Sequence, residues 1–209
     1  MKRLISIIFI LVLFMSLASC KKEDDKKIDI EQRKLDFIEE YSYYGIDGNI
    51  PERWADWFDY DYFKSQIDKK VFVTLTFDEV KEKIENKESF VIYYGFNPEL
   101  YQCPNCAITI PRVVDVALEL GIDVYYLDIR MMRVNDDDNY KYLLNELQTD
   151  IPDFIELIRA STYVNYRDGI ATGYHEGSLK DEEGKNILRV LTQEEDEELK
   201  NIYRGYFCK

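Results

Sequence analysis

Basic residues are scarce in this chain, and their scarcity argues against several classes of partner. The 27 Lys and Arg residues are outnumbered by 41 Asp and Glu residues in a chain of 209, so the formal net charge at pH 7 is −14. An acidic protein is repelled by the phosphates of nucleic acids and by anionic lipid headgroups. The composition therefore predicts no nucleic-acid partner, and any attachment to a membrane must come from something other than charge.

Cysteine and histidine are also few, which limits the possible chemistry. The four cysteines are Cys20, Cys103, Cys106 and Cys208, and the one histidine is His175. This is too few for a disulfide scaffold, and a lone histidine in a predicted hairpin is more typical of a surface residue than of an acid or base. A zinc site from the last three cysteines and His175 stays a minor alternative, because it lacks a second closely spaced ligand pair. No bound metal or other cofactor is expected.

The sequence also lacks an apolar run long enough to span a membrane, because the one near the N-terminus is short. Lys2 and Arg3 precede an apolar segment, Leu4–Leu17, that is too short for a comfortable membrane span. The segment ends in Leu-Ala-Ser-Cys at Cys20 and resembles the lipobox of bacterial lipoproteins. This resemblance implies loss of residues 1–19 and acylation of Cys20, for example by palmitate. The expected location is the extracytoplasmic face of the cell membrane, although an ordinary signal peptide or membrane anchor with a chance cysteine is an alternative.

The next segments divide the remaining chain. Residues 20–27 contain the lipidated cysteine and a charged tether with nothing apolar to bury, which predicts disorder. Residues 28–70 form an aromatic-rich helical extension, with one helix near its start and a second one, rich in aromatic residues, over residues 51–63. Those aromatic side chains either pack on the following domain, which their helical spacing favours, or form an exposed surface for a partner.

Residues 71–209 alternate between strand-like and helix-like patterns. Thr76 and Glu79 have the spacing of a capping box, Gly121 is a plausible C-cap, and Asp168-Gly169 between two β-prone runs indicates a hairpin. The predicted strands are 71–75, 90–96, 122–129, 162–167 and 170–174, and the predicted helices are 77–86, 107–120, 140–147 and 192–203, with a further short helical turn over 153–159.

Two cysteines lie where a predicted strand passes into a predicted helix. The sequence there is Cys103-Pro104-Asn105-Cys106. The N-terminus of a helix carries partial positive charge and unpaired N–H groups, which stabilise the reactive thiolate. A disulfide that closes so small a loop stabilises a fold very little, so the spacing favours redox chemistry over a structural role.

The order of elements and this motif together resemble the thioredoxin family over Val71–Phe207. The resemblance implies an α/β fold with a central mixed β-sheet flanked by helices, and a thiol–disulfide oxidoreductase activity without a cofactor. Cys103 would be the exposed nucleophile, and Cys106 would resolve the mixed disulfide. Protein thiols or disulfides would be the substrates, and a redox partner protein would recycle the site.

The sequence also departs from the family pattern. Ser161 stands where the family has a cis-proline, so a trans peptide bond is expected there. Ser161, Thr162, Pro104 and Asn105 are the candidates for substrate docking. Tyr93 replaces a buried carboxylate, and the loop before Cys103 is long. These departures leave an alternative open: a redox-inactive thioredoxin-like binding or accessory lipoprotein of a cell-envelope or transport assembly.

Overall fold

The computed structural model describes residues 29–46, 48–154 and 156–208. The predicted signal peptide, Cys20 and the whole charged tether lie outside this part of the chain. None of the helices in the described ranges is long and apolar enough to cross a membrane. The helices are α1 (Ile30–Tyr41), α2 (Tyr60–Ile67), α3 (Phe77–Glu85), α4 (Pro104–Leu120), α5 (Arg130–Val134), α6 (Asp138–Asp150) and α7 (Gln193–Phe207), and the strands are β1 (Phe72–Thr74), β2 (Phe90–Gly95), β3 (Val124–Asp128), β4 (Thr162–Arg167) and β5 (Ile170–Glu176).

The five strands form one mixed sheet in the order β1-β3-β2-β4-β5. β3 pairs in parallel with both β1 and β2, whereas β4 runs antiparallel to β2 and to β5. Every residue of β2 is buried, which agrees with its continuous apolar sequence and its central position. The prediction of an α/β fold with a central mixed sheet and flanking helices is confirmed.

Local sequence signals set several element boundaries. Thr76 forms a capping box with Glu79 at the start of α3. Gly121 ends α4 with a φ of 67°. Asp168 and Gly169 join β4 to β5 with φ values of 50° and 77°, the left-handed pair that a two-residue hairpin needs. The predicted cap, C-cap and hairpin are therefore confirmed.

Two predicted helical segments differ from the structure. The segment predicted as one helix over 51–63 contains a 3₁₀ turn at Glu52–Trp54, and α2 begins only after Asp59, whose side chain accepts the N–H of Tyr62 and caps the helix. Residues 153–159 contain no helix in their described part. There the backbone N–H of Ile158 donates to the Tyr140 hydroxyl at 2.9 Å, a tertiary contact that local propensity does not contain.

The extension packs on the sheet through its aromatic side chains. Phe37 of α1 stacks on Phe72 of β1, with ring centroids 4.4 Å apart, and meets Tyr126 of β3 edge-on. Trp54 and Phe63 are buried in the same core cluster, whereas Tyr62 is 40% exposed. The packing interpretation of the aromatic segment is thus confirmed for Trp54 and Phe63.

Candidate functional site

The Cys-Pro-Asn-Cys motif forms the first turn of α4, reached by the loop that follows β2. Cys103 is the N-cap, and its Sγ accepts the backbone N–H of Cys106 at 3.2 Å. Pro104 occupies the first turn, where a missing N–H has no cost. Cys103 and Cys106 are joined by a disulfide, with Cα atoms 5.3 Å apart. The helix N-terminus is therefore directed at a redox-competent sulfur pair.

Both sulfur-bearing residues are buried. Cys103 is 3% exposed and Cys106 is fully buried. The thioredoxin resemblance implies an exposed first cysteine, and this expectation is wrong for the structure. Two segments far from the motif in sequence contact it or the residue before it, one from the extension and one after β5.

One covering segment belongs to the extension, between α1 and α2. Asn49 accepts at its backbone carbonyl a hydrogen bond of 2.9 Å from Gln102 Nε2, directly before Cys103. The buried Tyr44 also lies beside the backbone of Cys103. The sequence did not reveal this cover, because Gln102 and Asn49 are 53 residues apart in the chain.

The other covering segment follows β5. The backbone N–H of Ser178 donates to Asn105 Oδ1 at 3.4 Å, so the second variable residue of the motif contacts a residue 73 positions away. Ser178 is fully buried, and so is most of Leu179. A protein partner can reach Cys103 only when one of the two covering segments moves.

The candidate docking residues of β4 lie against α4. Ser161 has a φ of 68°, and its peptide bond is trans, since the described residues contain no cis peptide. Its Oγ lies 3.0 Å from Thr109 Oγ1, and its carbonyl accepts the N–H of Gly177 at 2.9 Å. Thr162 donates its hydroxyl to the carbonyl of Arg159 at 2.8 Å. Both side chains are buried, so their polar atoms are bonded within the protein.

Tyr93, at the position of the family's buried carboxylate, sits in a layer of tyrosines. Its hydroxyl lies 3.2 Å from that of Tyr41, which in turn donates to the carbonyl of Phe96 at 3.2 Å. Tyr93 also stacks on Tyr163, with centroids 4.7 Å apart. Burial raises the pKa of Tyr93 well above its ordinary value, so this side chain stays neutral and does not replace an ionised carboxylate.

Glu40 is a partly buried carboxyl that was not predicted from the sequence. Burial raises its pKa to about 7, against the hydrogen bond from the Tyr126 hydroxyl, which lowers it, while Asp128 nearby raises it further. Its position three residues after the buried Phe37 is the signal that could have found it, because residues three apart share a helix face.

A groove of about 400 Å³ runs beside the first turns of α4. One wall comes from α4 itself, beginning with Ala107 directly after the motif. The opposite walls come from the aromatic part of the extension and from the loop that precedes α7. The lining includes Trp57, Phe58, Tyr62, Ile108, Pro111 and Arg189–Leu191.

The remaining candidates lie apart from this arrangement. His175 was expected at the surface, but the ring is largely enclosed, edge-on to Tyr203 at 5.4 Å, with no hydrogen bond to Nε2 among the described residues. Burial lowers the pKa of His175 to about 4. Cys208 is an exposed free thiol at the end of α7. Within the described ranges, no group of three or more His, Cys, Asp or Glu side chains could hold a metal ion.

Among known proteins, only solved structures are similar to this chain. No protein-family model matches the chain, and no curated protein matches it. A structure described as a proposed oxidoreductase with a thioredoxin fold is 14% identical, with a TM-score of 0.37, covering 56% of this chain and 87% of that one. Oxidised thioredoxin O1 from Arabidopsis thaliana is 15% identical, with a TM-score of 0.38, covering 65% of this chain and 97% of that one.

The strand order and the position of the motif define the fold class. Three parallel strands followed by an antiparallel hairpin, with the Cys-x-x-Cys at the start of the helix after the central strand, constitute a thioredoxin-like fold. The extension before β1 and the segment between β5 and α7 are added to that fold.

Proposed function

We propose that this protein is a thiol–disulfide oxidoreductase that acts through Cys103-Pro104-Asn105-Cys106, anchored by a lipid at the extracytoplasmic face of the cell membrane. The observation that carries the proposal is the Cys103–Cys106 disulfide at the N-terminus of α4. A helix N-terminus lowers the pKa of a cysteine, which raises the fraction present as the reactive thiolate and makes it a better leaving group.

The chemistry needs only the two sulfurs and a partner. With the site reduced, the Cys103 thiolate attacks a partner disulfide, whose second sulfur leaves as a thiolate and takes up a proton. Cys106, after losing its proton, then attacks Cys103 Sγ and releases the partner's other sulfur. The partner gains two electrons and the site returns to the disulfide. The same steps in reverse oxidise a partner dithiol, and a recycling protein restores the starting state.

Activity is tested with the full-length chain in detergent, by insulin reduction and by oxidation of a reduced dithiol peptide. Cys103→Ser should abolish both reactions, because the attacking sulfur is gone. Cys208→Ser is the matched control and should retain both reactions, since Cys208 is an exposed thiol at the C-terminal end of α7 and is not part of the disulfide. Equal rates for the wild-type chain and Cys103→Ser would refute the proposal.

The lipid anchor is supported by the lipobox-like sequence before Cys20, which lies outside the described residues. Metabolic labelling with radioactive palmitate should label the wild-type chain in a bacterial host. Cys20→Ala should lose the label and leave the membrane fraction. Retention of the label in this variant would overturn the anchoring proposal and leave the redox proposal untouched.

A second candidate function is a redox-inactive binding or accessory lipoprotein of a cell-envelope or transport assembly. The burial of Cys103 and Cys106 favours it, because an enclosed disulfide exchanges slowly with proteins. Cys106→Ser should trap substrates as mixed disulfides on Cys103 if the protein is an oxidoreductase. Crosslinking to one partner, unchanged in the Cys103→Ser variant, would instead support the binding function.

A further inference from the structure

Tyr44 has a buried hydroxyl whose proton has no acceptor of normal geometry among the described residues. The residue is 1% exposed, and its phenolic oxygen has no partner of normal geometry among the described residues. An unpartnered buried polar group is unfavourable, so it needs an explanation. The explanation lies in what the hydroxyl faces.

The hydroxyl faces the redox motif. The backbone of Cys103 is close enough to the phenolic oxygen to lower its pKa, against the larger raising effect of burial. The turn that carries Tyr44 is also fixed to the motif independently. Asn49 Nδ2 donates to the carbonyl of Tyr43 at 3.1 Å, and Gln102 Nε2 donates to the carbonyl of Asn49 at 2.9 Å.

The ring of Tyr44 is held by packing. It lies against Trp54 at 5.7 Å, edge-on to Phe58 at 5.4 Å and edge-on to Phe63 at 5.8 Å between ring centroids. These contacts bury the ring from the side of the extension. The hydroxyl lies beside the backbone of Cys103, at the start of α4. A side chain positioned in this way keeps its place when the chemistry of its neighbour changes.

We propose that Tyr44 is a positioning residue whose hydroxyl donates a hydrogen bond to the Cys103 thiolate in the reduced protein. This inference rests on the proposed function and adds a residue of the extension to its site. The oxidised site offers only a disulfide sulfur, which is a weak acceptor. Reduction creates a charged sulfur, and hydrogen bonds to charged acceptors are markedly stronger. The hydroxyl proton therefore lacks an acceptor in the oxidised state and is donated to the thiolate in the reduced one.

Other titratable groups near Tyr44 do not take over this role. Burial raises the pKa values of Tyr41, Tyr93 and Tyr44, and Tyr44 adds to the rise at the other two. Glu40 is the carboxyl of this cluster, and its Oε1 is engaged by the Tyr126 hydroxyl. The pKa of Glu40 is about 7, so its charge changes within the pH range of a Cys103 titration. The test therefore adds a glutathione equilibrium, which is measured at one fixed pH.

The test compares Tyr44→Phe with the wild-type full-length chain. Iodoacetamide alkylation of the reduced protein, read by mass spectrometry of the Cys103 peptide, gives the pKa of Cys103. We expect Tyr44→Phe to raise that pKa by about one unit. Equilibration with reduced and oxidised glutathione, above the pKa of Cys103, should shift about tenfold toward the disulfide, since the variant stabilises the thiolate less.

Tyr203→Phe is the matched control. Its hydroxyl is buried and also lacks a hydrogen bond of normal geometry in the described part of the chain, but it faces Thr109 instead of a cysteine. This variant should leave the Cys103 pKa and the glutathione equilibrium unchanged. Equal shifts in both variants, or no shift in Tyr44→Phe, would overturn the proposal.

Stability separates this role from a structural one. In urea unfolding, Tyr44→Phe should destabilise the reduced chain more than the oxidised chain, because the bond to the thiolate exists only in the reduced state. An equal loss of stability in the oxidised and reduced chains would contradict the proposal. Inactivity of the wild type toward insulin, together with a shifted Cys103 pKa in the variant, would refute the proposed function and leave the role of Tyr44 standing.

Discussion

Tyrosine hydroxyls deep in this core bond to one another in place of water. Tyr41 pairs with Tyr93 on one side of the sheet, and Tyr94 pairs with Tyr166 elsewhere in the core, each with oxygens 3.2 Å apart. Such pairs satisfy buried polar atoms without introducing charge. Tyr126 instead donates its hydroxyl to the carboxyl of Glu40. This carboxyl makes the stability of the fold depend on pH.

Glu40 should destabilise the fold as the pH rises. Its pKa is raised from 4.5 to about 7 in the folded protein, mainly by burial, so its contribution to stability is complete below pH 4.5 and is lost as the pH rises through 7. Between pH 5 and 8, the free energy of unfolding of the wild type should fall by roughly 2 kcal/mol more than that of Glu40→Gln. Urea unfolding at both pH values measures the difference.

His175 has the opposite effect on the pH dependence of stability, and it is present in both the wild type and Glu40→Gln. Its pKa is lowered to about 4 by burial, so its contribution is complete above pH 6.5 and is lost as the pH falls toward 4. Because Glu40→Gln keeps this histidine, the difference between the two proteins isolates Glu40. A difference that stays constant from pH 5 to pH 8 would show that the carboxyl is not protonated in the fold.

At the scale of elements, the hydrogen bond of Gln102 joins the segment between α1 and α2 to the loop before α4. Gln102→Leu removes the 2.9 Å bond from Gln102 Nε2 to the carbonyl of Asn49. A net loss of about 1 kcal/mol should make opening of this cover about fivefold more frequent. Reduction of the Cys103–Cys106 disulfide by dithiothreitol should then accelerate by about the same factor.

Gln32→Leu is a suitable control, because Gln32 Nε2 bonds to Asp36 on the exposed face of α1, also at 2.9 Å. Its disulfide should be reduced at the wild-type rate. If Gln102→Leu and Gln32→Leu behave alike, the cover does not limit access to the sulfurs.

The elements that the sequence predicted are those whose signals are local. The capping box of Thr76 and the left-handed turn at Gly169 each depend on residues within a few positions, and both are present. The burial of the motif depends on Asn49 and Ser178, which are far from it in sequence. Contacts of that range follow from packing and leave no local pattern, so the cover over Cys103 could not be predicted.

For the whole molecule, the extension and the sheet share one hydrophobic core. Five buried aromatic residues of the extension belong to it, and each contributes roughly 1.5–3 kcal/mol by burial. Their sum is comparable to the total stability of a typical domain. The boundary placed at residue 70 from the sequence stays a prediction, and the shared core argues that the two parts fold together. The five are Phe37, Tyr41, Tyr44, Trp54 and Phe63.

A chain that begins at residue 68 should therefore lose cooperative unfolding. Without the extension, the apolar surface of Phe72 and Tyr126 that Phe37 covers is exposed to water. Thermal unfolding followed by circular dichroism, together with binding of the dye ANS, measures the effect. A chain that begins at residue 29 keeps every described residue and should unfold cooperatively. Equal unfolding of both chains would show that the sheet is stable without its extension.

The position of the tryptophans gives this protein a built-in optical probe. The chain has two tryptophans, Trp54 and Trp57, whose rings lie 5.2 Å apart in the extension. Trp54 touches Tyr44, which lies beside the backbone of Cys103. Intrinsic tryptophan fluorescence therefore reports on the covering segment alone, while far-ultraviolet circular dichroism reports on the whole fold. Separation of the cover from the sheet can be followed by emission, without any label, at each step of the redox cycle.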